Sequence, residues 1–176
     1  MLQVSNPSSD SIRDPADRTI TNAVETVFPL CTEYCVMCWH NVAFVLSYKY
    51  DLPYILPDIL DLLDNLLREE VGEWECTFPS DSFCVEWHVL WEAGQLTIDG
   101  SWHSVAGGVE SLLKNTSSVA MPVDTFTYEW KYLLKRVIDA LYKAGYSADN
   151  VDGLRRMEDI ESRITRYGML YERFND

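Results

Sequence analysis

The chain has 176 residues, 47% hydrophobic and 12% aromatic, with a formal net charge of -14 and a pI near 4.5. That apolar content excludes a disordered chain, and the length suits one domain with a substantial core. So acidic a surface disfavours nucleic acid and anionic membranes; it favours a basic protein partner or serves solubility alone. No apolar run is long enough to span a bilayer.

The opening MLQVSNPSSDSIRDPADR has neither a basic n-region nor an apolar h-region, so no secretory signal is expected. Residues 1–17 are rich in Ser, Asp and Pro without a period. They are expected to form a mobile tail, leaving 18–176 as a single domain. Cys31, Cys35, Cys38, Cys76 and Cys84 read as reduced thiols of a cytoplasmic protein, since their number is odd and two fall within expected strands. A zinc reading of Cys31, Cys35, Cys38 and His40 lacks the second ligand pair that a tetrahedral site wants. On a strand, Cys35 and Cys38 would also point to opposite faces.

Residues 43–50 alternate, with Phe44, Leu46, Tyr48 and Tyr50 on one side, and read as a strand; 35–39 suits a strand or a buried turn equally. Pro57 is expected to open a helix with Ile59, Leu62, Leu63, Leu66 and Leu67 as its apolar stripe and Gly72 as its stop.

The strongest signal follows in residues 74–105. Trp74, Cys76 and Phe78, then Phe83, Val85, Trp87, Val89 and Trp91, then Leu96, Ile98 and Trp102 alternate with polar residues. This is the period-two pattern of a three-strand antiparallel meander. Pairing Phe78 with Phe83 sets Trp74 opposite Trp87 and Cys76 opposite Val85. Pairing Trp91 with Leu96 sets Trp87 over Gly100, Val85 level with Trp102 and His88 level with Asp99. The other face carries Glu75, Thr77, Glu86, His88, Thr97, Asp99, Ser101 and His103, so it is wet or a contact surface.

Beyond it, 109–114 reads as a short helix and 115–121 as a loop or short edge strand. A long helix over 125–144 is expected, capped by Asp124 or Thr125 and ended by Gly145, with Lys131, Lys135, Arg136 and Lys143 off its apolar stripe. A last helix covers 151–164, and the aromatic tail 167–174 is expected to dock. The whole reads as α+β: an antiparallel sheet with a central meander, about four strands in all, packed on one face by three or four helices.

Two constellations bear on function. Asp58, Asp61, Asp64, Glu69 and Glu70 form an acidic helix rim, either a solvated face or a docking patch for a basic protein. His88, Asp99 and His103, with Glu86 and Ser101, could serve acid–base catalysis or hold a metal, or be ordinary cross-strand polar pairs. Neither a nucleophile elbow nor a phosphate-binding loop is present, and Gly107-Gly108 lacks the flanking pattern of one.

Residues 46–145 resemble small acidic bacterial proteins encoded beside secreted polymorphic toxins, including the immunity proteins of contact-dependent inhibition. The segments that carry this are SYKYDLPYILPDILDLLDNLL, GEWECTFPSDSF, LTIDGSWHSVAGGVESLL and VDTFTYEWKYLL. The resemblance implies a non-catalytic cytoplasmic inhibitor of one cognate toxin; no functional residue carries over.

The resulting expectation is an immunity-type protein that blocks the active site of a basic, nuclease-like toxin. It would need no cofactor or metal, bind neither nucleic acid nor membrane, and exist as a monomer or weak homodimer. Its expected contact residues are Asp58, Asp61, Asp64, Glu69 and Glu70 on the helix rim, with Glu75, Glu86 and Asp99 on the sheet face as the second candidates. The alternative is a small metal-binding or hydrolytic enzyme using the His/Asp cluster.

Overall fold

A computed structural model describes residues 2–165. In chain order its elements are β1 (Leu2–Gln3), α1 (Ile20–Val27), β2 (Tyr34–Trp39), β3 (Val42–Ser47), α2 (Leu52–Arg68), β4 (Val71–Ser80), β5 (Phe83–Glu92), β6 (Gln95–Val105), α3 (Glu110–Lys114), β7 (Ser118–Pro122), α4 (Val123–Lys143) and α5 (Leu154–Arg163). The class is α+β. The meander is there, extended by β7 into an antiparallel sheet of order β4-β5-β6-β7. A second antiparallel sheet, β1-β2-β3, was not expected.

The β5/β6 register is as the alternation implies, with Trp91 opposite Leu96, Trp87 opposite Gly100 and His88 opposite Asp99. Ala93 and Gly94 make that turn, both at positive φ (51° and 75°), as a two-residue turn matched to strand twist requires. The β4/β5 register differs by two residues. Phe78 faces Val85, Cys76 faces Trp87 and Trp74 faces Val89. The turn there is Asp81-Ser82 alone, because Pro79 and Ser80 remain in the strand. Proline is tolerated there because β4 is an edge strand. A shift of two preserves parity, so every inward residue stays inward.

Gly100 stands opposite Trp87 as expected, and the indole that crowds it most closely is a second one. A Cβ at Gly100 would meet the Trp102 indole of its own strand at 2.7 Å, whereas Trp91 lies over Gly72, where a Cβ would meet it at 2.2 Å. Gly72 is therefore a strand residue held small by an indole, not the helix stop.

The apolar face of the large sheet packs on the small sheet as well as on helices. Trp39 meets Trp102 edge-on at 4.9 Å between ring centroids and Trp87 at 5.9 Å, and Phe44 stacks on Phe83 at 5.9 Å. Helices α1, α2, α4 and α5 pack on one another, and α2 also packs beside β4.

Helix α2 begins five residues before Pro57, which sits inside it. An interior proline removes a hydrogen bond and costs about 3 kcal/mol. Full burial of Ile55, Leu56, Ile59, Leu60, Leu62 and Leu63 outweighs that cost, at about 1.5–3 kcal/mol for each such side chain. The buried Asp51 stands at the N-cap position of α2 without capping it. Its carboxylate accepts from the Ser47 N–H at 2.6 Å and from the Ser82 hydroxyl at 2.7 Å, and also takes the Ser80 hydroxyl, joining β3, α2 and the β4/β5 turn.

Helix α4 starts at Val123, with Pro122 at its N-cap and Asp124 in the first turn. It ends as expected: Gly145 has φ +91°, its N–H donates to Tyr142 O, and that of Tyr146 donates to Leu141 O. Helix α5 starts three residues later than expected, after Gly153 at φ +88°. Leu154, Met157, Ile160 and Ile164 are buried as the pattern implies.

The N-terminal segment makes specific contacts. Leu2 and Gln3 pair with Met37 and Val36, and the Asp10 N–H donates to Val27 O at 2.9 Å. The Tyr146 hydroxyl donates to the buried Asp17 carboxylate and accepts from the Asp14 N–H at 3.1 Å. The tail 167–174 lies outside the described residues. No helix among the described residues is long and apolar enough to cross a membrane.

Candidate functional site

Strand parity builds the site. With Trp74, Cys76 and Phe78 turned inward, Glu73 and Glu75 must project from the outer face of β4; Glu86, His88 and Glu92 do so from β5, and Thr97, Asp99, Ser101 and His103 from β6. The five carboxylates Glu73, Glu75, Glu86, Glu92 and Asp99 are all exposed. The four strands contain no lysine or arginine.

His88 stands at the centre, flanked by Glu75 on β4 and Asp99 on β6. Its Nε2 lies 2.7 Å from Glu73 Oε1, the diagonal neighbour, rather than bonding the Asp99 beside it. That hydrogen bond raises the His88 pKa above the usual 6.5. Desolvation opposes the rise, and the charges of Glu73, Glu75 and Asp99 reinforce it. His103 pairs separately with Glu86 at 3.4 Å. It stands beside the one irregularity in the β5/β6 register, where Cys84 faces Ser104 and Val85 faces Trp102. The His88–Asp99–His103 triad of the sequence reading is therefore not one unit; His88 belongs with Glu73 and Glu75.

Glu73, Glu75 and His88 bring one ligand atom each within 4.8 Å of one another. Two donors at i and i+2 on one strand, and a third across from one of them, lie on one face with side chains close enough to share an ion. The set suits a borderline divalent cation such as zinc. Beside it a shallow depression of about 420 Å³ is lined by Glu75, Thr77, Glu86, His88, Asp99 and Ser101, with Ser117 at its edge.

The helix rim is built differently. Asp61 pairs with Arg156, and Asp64 accepts from Arg163 at 2.8 Å, with Arg156 at 3.6 Å and Arg68 at 3.8 Å. Burial pushes the Asp64 carboxyl up, but the Arg163 hydrogen bond and the charges of Arg68, Arg163 and Arg156 outweigh it and hold the pKa below its usual value. These aspartates clamp α5 onto α2 and do not form an open acidic rim. Asp58 is half-buried, its pKa raised by burial and by Asp61. Glu69 and Glu70 are exposed at the α2–β4 link, where Glu69 O accepts the Trp91 indole N–H at 2.9 Å.

The basic residues of α4 are likewise engaged internally. Lys131 pairs with Glu161 at 2.7 Å, Lys135 with Asp139 at 3.2 Å, and Arg136 donates to Asn6 at 2.8 Å.

Glu73 and Glu92 escaped the sequence reading. The signal is present, since both share the parity of Glu75 and Glu86, and β4 begins at Val71 and β5 runs to Glu92. The thiols converge on no site: burial drives the pKa of Cys35 and of Cys76 up to about 12, which keeps both protonated, and Cys31 is exposed at a turn.

No protein-family model matches the chain, no curated protein matches its sequence, and no solved structure matches its fold.

Proposed function

We propose that this protein is a non-catalytic, immunity-type inhibitor that captures a basic partner on the outer face of the β4-β5-β6-β7 sheet. The observation that supports this reading is the sign of that face: five exposed carboxylates and no lysine or arginine on its four strands. Basic side chains of α4 and α5 are engaged with acidic partners of the chain itself, as between α2 and α5. The outer face gathers five carboxylates on one rigid sheet, and such a surface steers a basic partner and fixes its orientation. An extended, rigid sheet loses little conformational freedom on binding, which suits an inhibitor that must occlude a site.

The test is co-expression with the protein encoded beside it. Purified complex formation and protection from toxicity are expected. The variant Glu75→Gln with Glu86→Gln and Asp99→Asn should slow association and flatten its dependence on salt, because exposed charges are screened over about 8 Å at physiological ionic strength. No complex and no protection would overturn the reading. Unchanged association of the triple variant would move the contact off this face.

A second reading rests on the Glu73, Glu75 and His88 group: the face holds a divalent cation. Elemental analysis of protein purified without chelator tests it. Stoichiometric zinc or manganese, lost on His88→Ala with Glu75→Ala, would favour this reading.

A further inference from the structure

The large sheet ends in two edge strands, β4 and β7. At β7 the Trp39 indole donates to Thr116 O at 2.7 Å and the His40 ring bonds Ser118 O at 2.6 Å. That strand has only five residues and ends on Pro122. Strand β4 runs for ten residues and pairs with β5 alone. Natural sheets blunt a long edge with lysine, proline, a bulge or a covering element, because open backbone recruits another strand. In β4 only Pro79 does so, close to the end of the strand. Cys76 and Phe78 on its inner side are buried, while Val71, Glu73, Glu75 and Thr77 are exposed.

The turn fixes which backbone groups face the edge. Ser80 and Phe83 close the two-residue turn, and a closing pair of this kind exchanges both backbone bonds. Counting back by two, Phe78, Cys76, Trp74 and Gly72 bond β5. The N–H and C=O groups of Val71, Glu73, Glu75 and Thr77 therefore turn to the open edge. Pro79, with no N–H to give, falls in the same set, where the ladder loses nothing by it. Among the described residues no backbone group outside the sheet meets these groups.

Charge decides what can pair there. Glu73 and Glu75 stand on the outer face beside the edge. A second copy of β4 centred antiparallel on the first would set Glu75 opposite or diagonal to its own mate, and like charges so placed oppose pairing. A strand with Lys or Arg at alternate positions meets the same glutamates favourably.

We infer that the open edge of β4 takes up an extended basic segment of a protein partner as an added strand, with Lys or Arg at alternate positions alongside Glu73 and Glu75. The inference deepens the basic-partner reading and rests on it. Main-chain bonds would supply affinity and the glutamates specificity.

A short, end-blocked peptide of alternating lysine and valine is the probe. The full chain should bind it at one site. Binding should slow exchange of the Glu73, Glu75 and Thr77 amide hydrogens more than that of the Trp74 and Cys76 amides, which β5 already protects. Only alternate N–H groups of an added strand face its neighbour. Methylating the backbone nitrogens of one set, lysines or valines, should therefore weaken binding at least about tenfold, as loss of several hydrogen bonds does. Methylating the other set should leave it nearly unchanged. Thr77→Pro, which removes an edge N–H and no ladder bond, should weaken binding while the circular dichroism is retained. Glu73→Gln with Glu75→Gln should weaken it as well. Absence of peptide binding would overturn the inference. So would equal effects of the two methylated sets, or unchanged exchange at Glu73, Glu75 and Thr77. Those outcomes leave the basic-partner reading to its co-expression test, because a partner can meet the outer face without adding a strand.

Discussion

Gly72→Ala puts the indole-over-glycine arrangement to a direct test. A Cβ at this position would lie 2.2 Å from Trp91 Cζ2 and 2.7 Å from Cε2, far inside van der Waals contact. The ring cannot yield cheaply: Trp91 is only 4% exposed, and its Nε1 donates to Glu69 O at 2.9 Å. Forced overpacking of this kind costs about 1–3 kcal/mol. Losing the indole hydrogen bond adds about 0.5–1.5 kcal/mol. Replacing glycine within a strand returns about 0.5–1 kcal/mol of backbone entropy. The net expectation is a destabilisation of about 2 kcal/mol, seen as a fall in Tm of about 4–8 °C for a chain of this size. Urea unfolding followed by circular dichroism should show a lower midpoint with an unchanged slope. Combining Gly72→Ala with Trp91→Phe should cost at least about 1 kcal/mol less than the sum of the single changes, since the smaller ring relieves the clash. A neutral or stabilising Gly72→Ala, or strict additivity with Trp91→Phe, would refute the reasoning.

Asp51→Ala should cost about 2–4 kcal/mol, because it strands the Ser47 N–H and the Ser80 and Ser82 hydroxyls at a buried joint; a loss under about 1 kcal/mol in urea unfolding would contradict that role. Asp64 has a folded pKa held below its usual 3.8, so its contribution is present above pH 3.8 and is lost as pH falls through the depressed folded value. Asp64→Asn should therefore lower stability at pH 7 and flatten the acid limb of the stability profile; parallel wild-type and variant profiles would count against the clamp. For the same reason, Asp61→Lys with Asp64→Lys should loosen α5 rather than leave the fold intact, as a drop in thermal midpoint would show. His88 should titrate above 6.5, returning toward that value in Glu73→Gln, as followed by proton NMR. The stability from its Glu73 bond is present below pH 6.5 and lost as pH rises through the raised folded pKa. A midpoint at or below 6.5 would refute the pairing.

Much of this protein is legible without coordinates, and the reason is periodicity. Alternation settles which residues of β4, β5 and β6 face inward, because a strand turns each side chain 180° from the last. That parity survived even the two-residue error in the β4/β5 register. The outer face, with Glu75, Glu86, His88 and Asp99, could therefore be written down from the sequence. The β5/β6 pairing was legible too, because the turn at Ala93-Gly94 left room for one even register. The end of α4 followed from Gly145, whose positive φ is a local requirement.

What only the tertiary structure decided depends on neighbours distant in sequence. Pro57 inside α2 defeats its local signal because the surrounding leucines and isoleucines are buried by other elements. Gly72 looks like a helix stop until Trp91, nineteen residues on, is seen lying over it. The second sheet is chiefly the β2/β3 hairpin turning at His40-Asn41, and its third strand is added where Leu2 and Gln3 find Met37 and Val36, a pairing that no local pattern encodes. The acidic rim of α2 turned out to be a clamp, since Arg156 and Arg163 arrive about a hundred residues later. Charge in a sequence says how much there is. Only packing decides which charges are already paired within the chain and which face remains free to meet a partner.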